Sequence, residues 1–421
     1  MSEISWCDKR TVLILSVCEY LNCLRTRKKM LKICALSLVI CSYVACGEAA
    51  TLDTTPTTTR ANAKQSDTPD FLSGADLEVA SKVDTTGIGS EVVMVLRSFF
   101  DHKMEQSEAS NQDYWLAEDY EQFVRDYSEI RYGEYGPDAT VKYWPTLMSI
   151  DRVRGHSNFR FANVRWASRD STGSVGEVRY VFQFLVKPNE AGQLRLTNPL
   201  EVLTEVWKRE KVGSVTFVLS PKHEFSRKQA AEQHAAIDEM VNFFEIDPFP
   251  ITFYSFQNAT EVLQSRGYLM HPLFYKFATG GQAGVGDVVY SGNDRDEYTN
   301  EVVHLFIARA IPTSTGILNE GLATLLGGST GYPYEWHAEK LKAWLEANPD
   351  VDLTQHLNPY QSTYIEEHTS IPYTIGATLC EKLLKAHGRE VLFEALGRGK
   401  DPWAFLQELG IEQSDLRKLL Q

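Results

Sequence analysis

Asn300, Glu301 and His304 make a single polar stripe on a stretch that is otherwise apolar, and few folds can bury such a stripe. A helix turns about 100° per residue, so Asn300 and His304 lie roughly 40° apart and Glu301 about 60° beyond His304 on the same side. Val302 with Phe306, and Val303 with Ile307, fill the remaining arc as apolar pairs at i, i+4. The expected element is a buried helix over about 296–310, ended by Pro312. Burying a charge is costly, so Glu301 and His304 require partners. A second carboxylate, Glu320, follows in the run Asn319-Glu320-Gly321-Leu322-Ala323 on the next expected helix.

These residue types point to metal chemistry. A complete HExxH helix sets two imidazoles one turn apart with a carboxylate between them. A catalytic zinc takes three protein ligands and leaves one position open for water. Here Asn300 stands where the first imidazole belongs. His304 and Glu320 are candidate ligands, and Glu301 is the candidate base that takes a proton from the water. The neutral amide of Asn300 suits zinc poorly compared with imidazole. His337 is the nearest downstream histidine that could complete the shell, and Glu297 shares the face of the stripe. The competing account is a satisfied polar cluster with no metal, in which Glu297 is an N-terminal acid favoured by the helix dipole.

The stretch resembles the gluzincin branch of the HExxH peptidases, the peptidase MA-like group. The resemblance rests on Glu301, His304 and the Asn319–Ala323 run, and on the order of elements from about Val215 to the C-terminus. It implies a zincin-like domain with zinc as cofactor. It further implies an edge strand that binds substrate backbone, matched by Gly286-Asp287-Val288-Val289-Tyr290, and a closing helix starting near Tyr373. Tyr373 is a candidate donor to an oxyanion, set against a core tyrosine. Two outcomes follow from the departure at Asn300. Either the domain binds peptide or protein without cutting it, or it is a metallopeptidase whose shell Asn300 or His337 completes.

The N-terminus has a different character. Residues 1–46 hold six of the seven cysteines, and seven Lys or Arg against three acids. Arg25 to Lys29 precede the apolar run Leu31–Cys41, which reads as the charged and apolar regions of a signal peptide. It ends in Tyr43-Val44-Ala45-Cys46-Gly47, which looks like a bacterial lipobox with Cys46 as the lipidated residue. Met30 is an alternative start. The expected location is the bacterial cell envelope, held to the membrane by an N-terminal lipid; an uncleaved anchor is the competing account. Past Cys46 only Cys380 remains, so the mature chain has no intramolecular disulfide to form.

The whole chain carries a formal net charge of −14, and removing its basic N-terminus makes the rest more acidic still. Such a surface repels phosphate backbones, which argues against nucleic acid as a partner. Residues 47–87 are rich in Thr, Ala and Asp and read as a tether.

Two domains of α+β class are expected after it. In 88–212 two helices precede strands, the first marked by Val92, Val93, Leu96, Phe99 and Phe100, the second by Trp115, Tyr120, Phe123, Val124 and Tyr127. Val178, Tyr180, Phe182, Phe184 and Val186 alternate with polar residues as a half-buried strand does, and 188–192 turns it into a hairpin. Helices before a curved antiparallel sheet resemble the nuclear-transport-factor-like cone, which implies ligand binding through 88–212 as a third reading. Residues 213–421 hold a strand at 214–219, a helix at 226–245, a strand at 248–256, the polar-striped helix, and then mostly helix.

Overall fold

The computed structural model describes residues 77–102, 114–116, 143–170, 172–361 and 363–420. The signal segment, Cys46, the tether up to residue 76 and Tyr120, Phe123, Val124 and Tyr127 of the expected second helix lie outside the described residues. The fold is α+β, built on two large sheets with a helical lobe packed on the second and a two-stranded ladder, Tyr364–Ile365 with Thr369–Ser370, within that lobe.

The first sheet contains β1 (Glu78–Val79), β2 (Trp144–Val153), β3 (His156–Arg169), β4 (Val175–Pro188) and β5 (Leu194–Thr197), in that order. Their long antiparallel ladders follow from the period-2 pattern: Phe182, Phe184 and Val186 on β4 face inward, with Gln183 between them bonded to Asn163. Helix α1 (Ile88–His102) lays Val92, Leu96, Phe99 and Phe100 against that face. The aromatic rings meet edge to face, with Phe99 to Phe184 at 5.9 Å and Phe182 to Phe184 at 4.8 Å. These aromatics are packing residues. Trp115 bridges to Leu196 in the sheet, so it does not open a helix. Leu77 is buried in this core and Glu78–Val79 pair with β2, so the fold starts ten residues before the expected end of the tether.

The second sheet has the order β10-β11-β8-β7-β6, from β6 (Lys208–Val212), β7 (Val215–Leu219), β8 (Ile251–Ser255), β10 (Gly281–Gly284) and β11 (Val288–Ser291). β6 and β7 form a hairpin, so the expected division between 212 and 213 cuts through paired strands; the sheet starts at Lys208. The short β9 (Tyr268–Met270) crosses over and pairs with β4 of the first sheet. Alternation along β11 joins the two cores: Val289 faces the helical lobe, while Val288 and Tyr290 face the first sheet.

Between these strands run α2 (Leu200–Thr204), α3 (Arg227–Phe244) and α4 (Ala259–Ser265). The lobe follows as α5 (Thr299–Ala310), α6 (Ile317–Gly327), α7 (Tyr334–Ala347) and α8 (Ile371–His387), and shorter helices close it. α6 and α8 meet backbone to backbone. A Cβ at Gly321 would lie 2.2 Å from the carbonyl carbon of Gly376, and one at Gly376 would lie 2.2 Å from the carbonyl oxygen of Ile317. Only glycine permits that approach, and it holds Glu320 over α5. No helix of the described residues is long and apolar enough to cross a membrane.

A further expectation is overturned here. Gly286–Tyr290 is not an edge strand. Gly286 and Asp287 turn the chain with positive φ (78° and 60°), and β11 pairs with β10 on one side and β8 on the other. Asp287 is held in a fork by Arg309 of α5 through Nε at 3.0 Å and through Nη2. The edge on this side of the sheet is β10, Gly281–Gly284, and β6 is the opposite edge.

Candidate functional site

Helix α5 carries the polar stripe, α6 faces it, and β10 lies alongside. Asn300, Glu301 and Glu320 are all buried. The loop from β11 into α5 is braced by the N-terminal part of α3. Gln229 Oε1 accepts from the backbone N–H of Asp296 at 3.1 Å, and Gln233 Oε1 accepts from that of Tyr298 at 2.6 Å. Asp296 is fully buried, accepting from Ser226 N at 2.6 Å and Ser255 Oγ at 2.7 Å and facing His223 Nε2 at 2.9 Å. The start of α5 is thereby fixed by three side-chain-to-backbone bonds and two contacts between side chains.

Within the site the structure brings His304 and Glu320 together. His304 Nε2 lies 3.5 Å from Glu320 Oε2. The other ring nitrogen, Nδ1, is 2.8 Å from Asn319 Oδ1. Asn319 gives its amide hydrogens to Ser314 O and Oγ at 3.0 and 3.1 Å, which fixes its oxygen toward the imidazole. Nδ1 is therefore the donor, and Nε2 is the nitrogen that faces Glu320. Burial pulls the His304 pKa down, but the Glu320 carboxylate, with Glu301 and Asn319 behind it, outweighs burial and pushes it up to about 9. At neutral pH the pair is an imidazolium against a carboxylate.

Glu301, 1% exposed, turns to the sheet edge: its Oε2 accepts from the backbone N–H of Ala283 at 2.7 Å. Asn300 turns the other way and donates its amide Nδ2 to Gly328 O at 2.7 Å. The contact is close, since a Cβ at Gly327 would lie 2.4 Å from Asn300 N. Asn300 ties the start of α5 to the end of α6.

The donor set can be tested against zinc. Two ligands of one tetrahedral zinc, each bonded at 2.0–2.1 Å, stand roughly 3.3 Å apart. The 3.5 Å between His304 and Glu320 agrees with that spacing, and Glu320 Oε2 is a buried oxygen without a hydrogen-bond partner. The contact is close enough for an ion pair but lacks the direction of a hydrogen bond. The third ligand fails. Asn300 donates Nδ2 to Gly328 O and has only a neutral amide oxygen to offer, a weak donor to zinc. His337, expected as a possible replacement, is buried with Nδ1 3.0 Å from Thr369 Oγ1 and Nε2 2.9 Å from Ser329 O. Both its nitrogens are engaged, and burial holds its pKa down to about 4. Glu297 pairs with Arg295 at 2.9 Å. Among the described residues no group of three His, Cys, Asp or Glu is placed to hold a metal. The residues present do not fit a three-ligand zinc centre.

Tyr373 is buried in the first turn of α8, the helix that packs on α6. Three contributors were not legible in the sequence: the Gly328 carbonyl, the Ala283 N–H and the Asp296 brace. The glycine run around Gly280–Gly286 is the one signal that marked β10, because glycines in a strand accompany close backbone approach. A Cβ at Gly281 would meet Tyr298 at 2.4 Å. Compared with known families the chain matches none, and no curated protein aligns with it significantly.

Proposed function

We propose that the chain is a lipid-anchored bacterial envelope protein whose C-terminal half is a zincin-like, peptidase MA-like domain acting in peptide or protein binding, with catalysis weakened or lost. The observation that carries this reading is the position of Asn300. The side chain that should supply the first imidazole is an amide bonded to the Gly328 carbonyl, and it leaves His304 and Glu320 to neutralise each other. Peptide would add to the sheet at β10, whose outward Ala283 N–H is now taken by Glu301. An incoming backbone carbonyl competes with that carboxylate for one donor. Metal analysis of the purified protein tests the reading, together with a cleavage assay on unstructured peptides. Substoichiometric zinc and no chelator-sensitive cleavage are expected; stoichiometric zinc overturns it.

The 3.5 Å spacing of His304 and Glu320 favours a second reading, an active zinc metallopeptidase with Glu301 as base. That reading needs a third ligand beside His304 and Glu320, which the described residues do not supply. Chelator-sensitive cleavage that vanishes in Glu301→Gln is the required result.

A further inference from the structure

We propose that the segment Leu269–Phe277 is a membrane-contact loop that docks the molecule end-on against the lipid surface to which its N-terminus is anchored. The proposal rests on the lipid-anchored reading above.

The loop is unusual in composition and in exposure. Between Glu261 and Asp287 the chain has no acidic residue, although it holds 56 Asp and Glu in all. Within 269–277 the sole formal charge is Lys276, because His271 is half-buried with its pKa held down to about 4 and is neutral at pH 7. Tyr275 is 83% exposed and Leu269 47% exposed. Tyr275 also sits at φ 60°, a strained conformation that an aromatic residue rarely adopts. Its N–H is held by Thr260 Oγ1 at 3.0 Å. The fold thus holds a tyrosine outward at an energetic cost. Phe274 packs against it at 6.1 Å, and the Lys276 ammonium lies 5.5 Å from the Phe277 ring. Tyrosine with its polar tip, and lysine on a long apolar stem, are the side chains that suit the boundary between headgroups and acyl chains.

Topology places this loop at the end of the first sheet where the chain enters from its N-terminal side. One row of paired residues crosses the first sheet: Glu78, Thr146, Arg165, Val181 and Met270. β1 and β4 run the same way and β9 runs opposite, so the chain leaves β9 at the end where it enters β1. Four strand spacings put these points roughly 19 Å apart. Residue 77, the first described residue after Cys46, therefore enters the fold at the same end of the sheet as the loop. Another exposed apolar residue, Val206 (89%), lies at the far end, next to Glu205, which contacts His156 at the β2–β3 turn at 3.0 Å. That turn is roughly 26 Å from the row. Val206 is thus an internal control. The acid-free loop also matches its surroundings, since an anionic headgroup layer repels a chain of net charge −14 everywhere except where acids are missing.

The experiment is hydrogen–deuterium exchange on the full chain, with and without vesicles of phosphatidylethanolamine and phosphatidylglycerol. We expect exchange over 269–277 to slow at least fivefold on vesicles and exchange around Val206 to be unchanged. Tyr275→Asp should abolish the protection, and Val206→Asp should leave it intact. Equal exchange with and without vesicles, or protection confined to another face, overturns the proposal. Protection that depends on protein concentration and not on lipid would assign the loop to a second copy of the chain and also overturns it. Intact mass of Cys46-containing protein separates the two readings: absence of lipid on Cys46 sinks the anchor, while the footprint still decides the loop.

Discussion

His304 Nε2 and Glu320 Oε2 face each other across α5 and α6 at 3.5 Å, both side chains nearly out of solvent. The pair joins two successive helices that the Asn300–Gly328 and His304–Asn319 bonds also tie together. Glu320→Ala should leave a buried imidazolium without its carboxylate and lower stability by about 3 kcal/mol or more. Denaturant unfolding measures it. A midpoint unchanged from the parent would show that the pair does no structural work.

Asn300→His restores an imidazole one turn before His304. If the fold is zincin-like, that variant should retain about one zinc per chain after dialysis, where the parent retains far less. The loss of the bond to Gly328 O should cost about 1–3 kcal/mol in the metal-free protein. Atomic emission on parent and variant decides it. Failure of the variant to gain metal would separate this site from the zinc peptidases.

Gly321→Ala should destabilise by about 3 kcal/mol. The new methyl would stand 2.2 Å from the backbone of Gly376, which cannot rotate away as a side chain can. A variant with the parent's thermal midpoint would mean that α6 and α8 slide apart at little cost.

His223 bonds Asp294 Oδ1 through Nδ1 and Asp296 Oδ1 through Nε2, each at 2.9 Å, so both nitrogens donate only in the imidazolium. Burial lowers its pKa, yet the two carboxylates outweigh burial and hold the value above the usual histidine range. The neighbouring charges are Lys222, paired to Glu261 of α4, while the other facing groups on α3 and β8, Ser226 and Ser255, are neutral. A raised folded-state pKa contributes stability that is complete below about pH 6.5 and is lost as pH rises through the folded value. Stability should therefore fall as pH climbs above 6.5, and Asp294→Asn should flatten that slope. A variant with the parent's pH profile would assign the slope to other groups.

Much of the scaffold was legible because it rests on local periodicity. The alternation at 178–186 gave β4, and the i, i+4 spacing of Val92, Leu96 and Phe100 gave α1. Apolar pairs flanking Asn300, Glu301 and His304 placed α5 within a few residues. The edge strand was misplaced for a physical reason. Gly281–Gly284 has almost no side chains to signal a strand, whereas Val288–Tyr290 signals strongly because both its faces are buried. A strong strand pattern is the mark of an inner strand, and the weakly patterned neighbour took the edge.

By itself the sequence determined the polar stripe, the facing carboxylate and the acidic character of the chain, since residue type and spacing are one-dimensional properties. Tertiary structure alone decided what those groups do. Asn300 turned to a carbonyl 28 residues away, Ala283 N–H captured Glu301, and the ring of His337 was closed off by Ser329 and Thr369. Each of those outcomes is a hydrogen bond between distant segments, and the competition for such partners is settled only when the backbones are brought within 3 Å of one another.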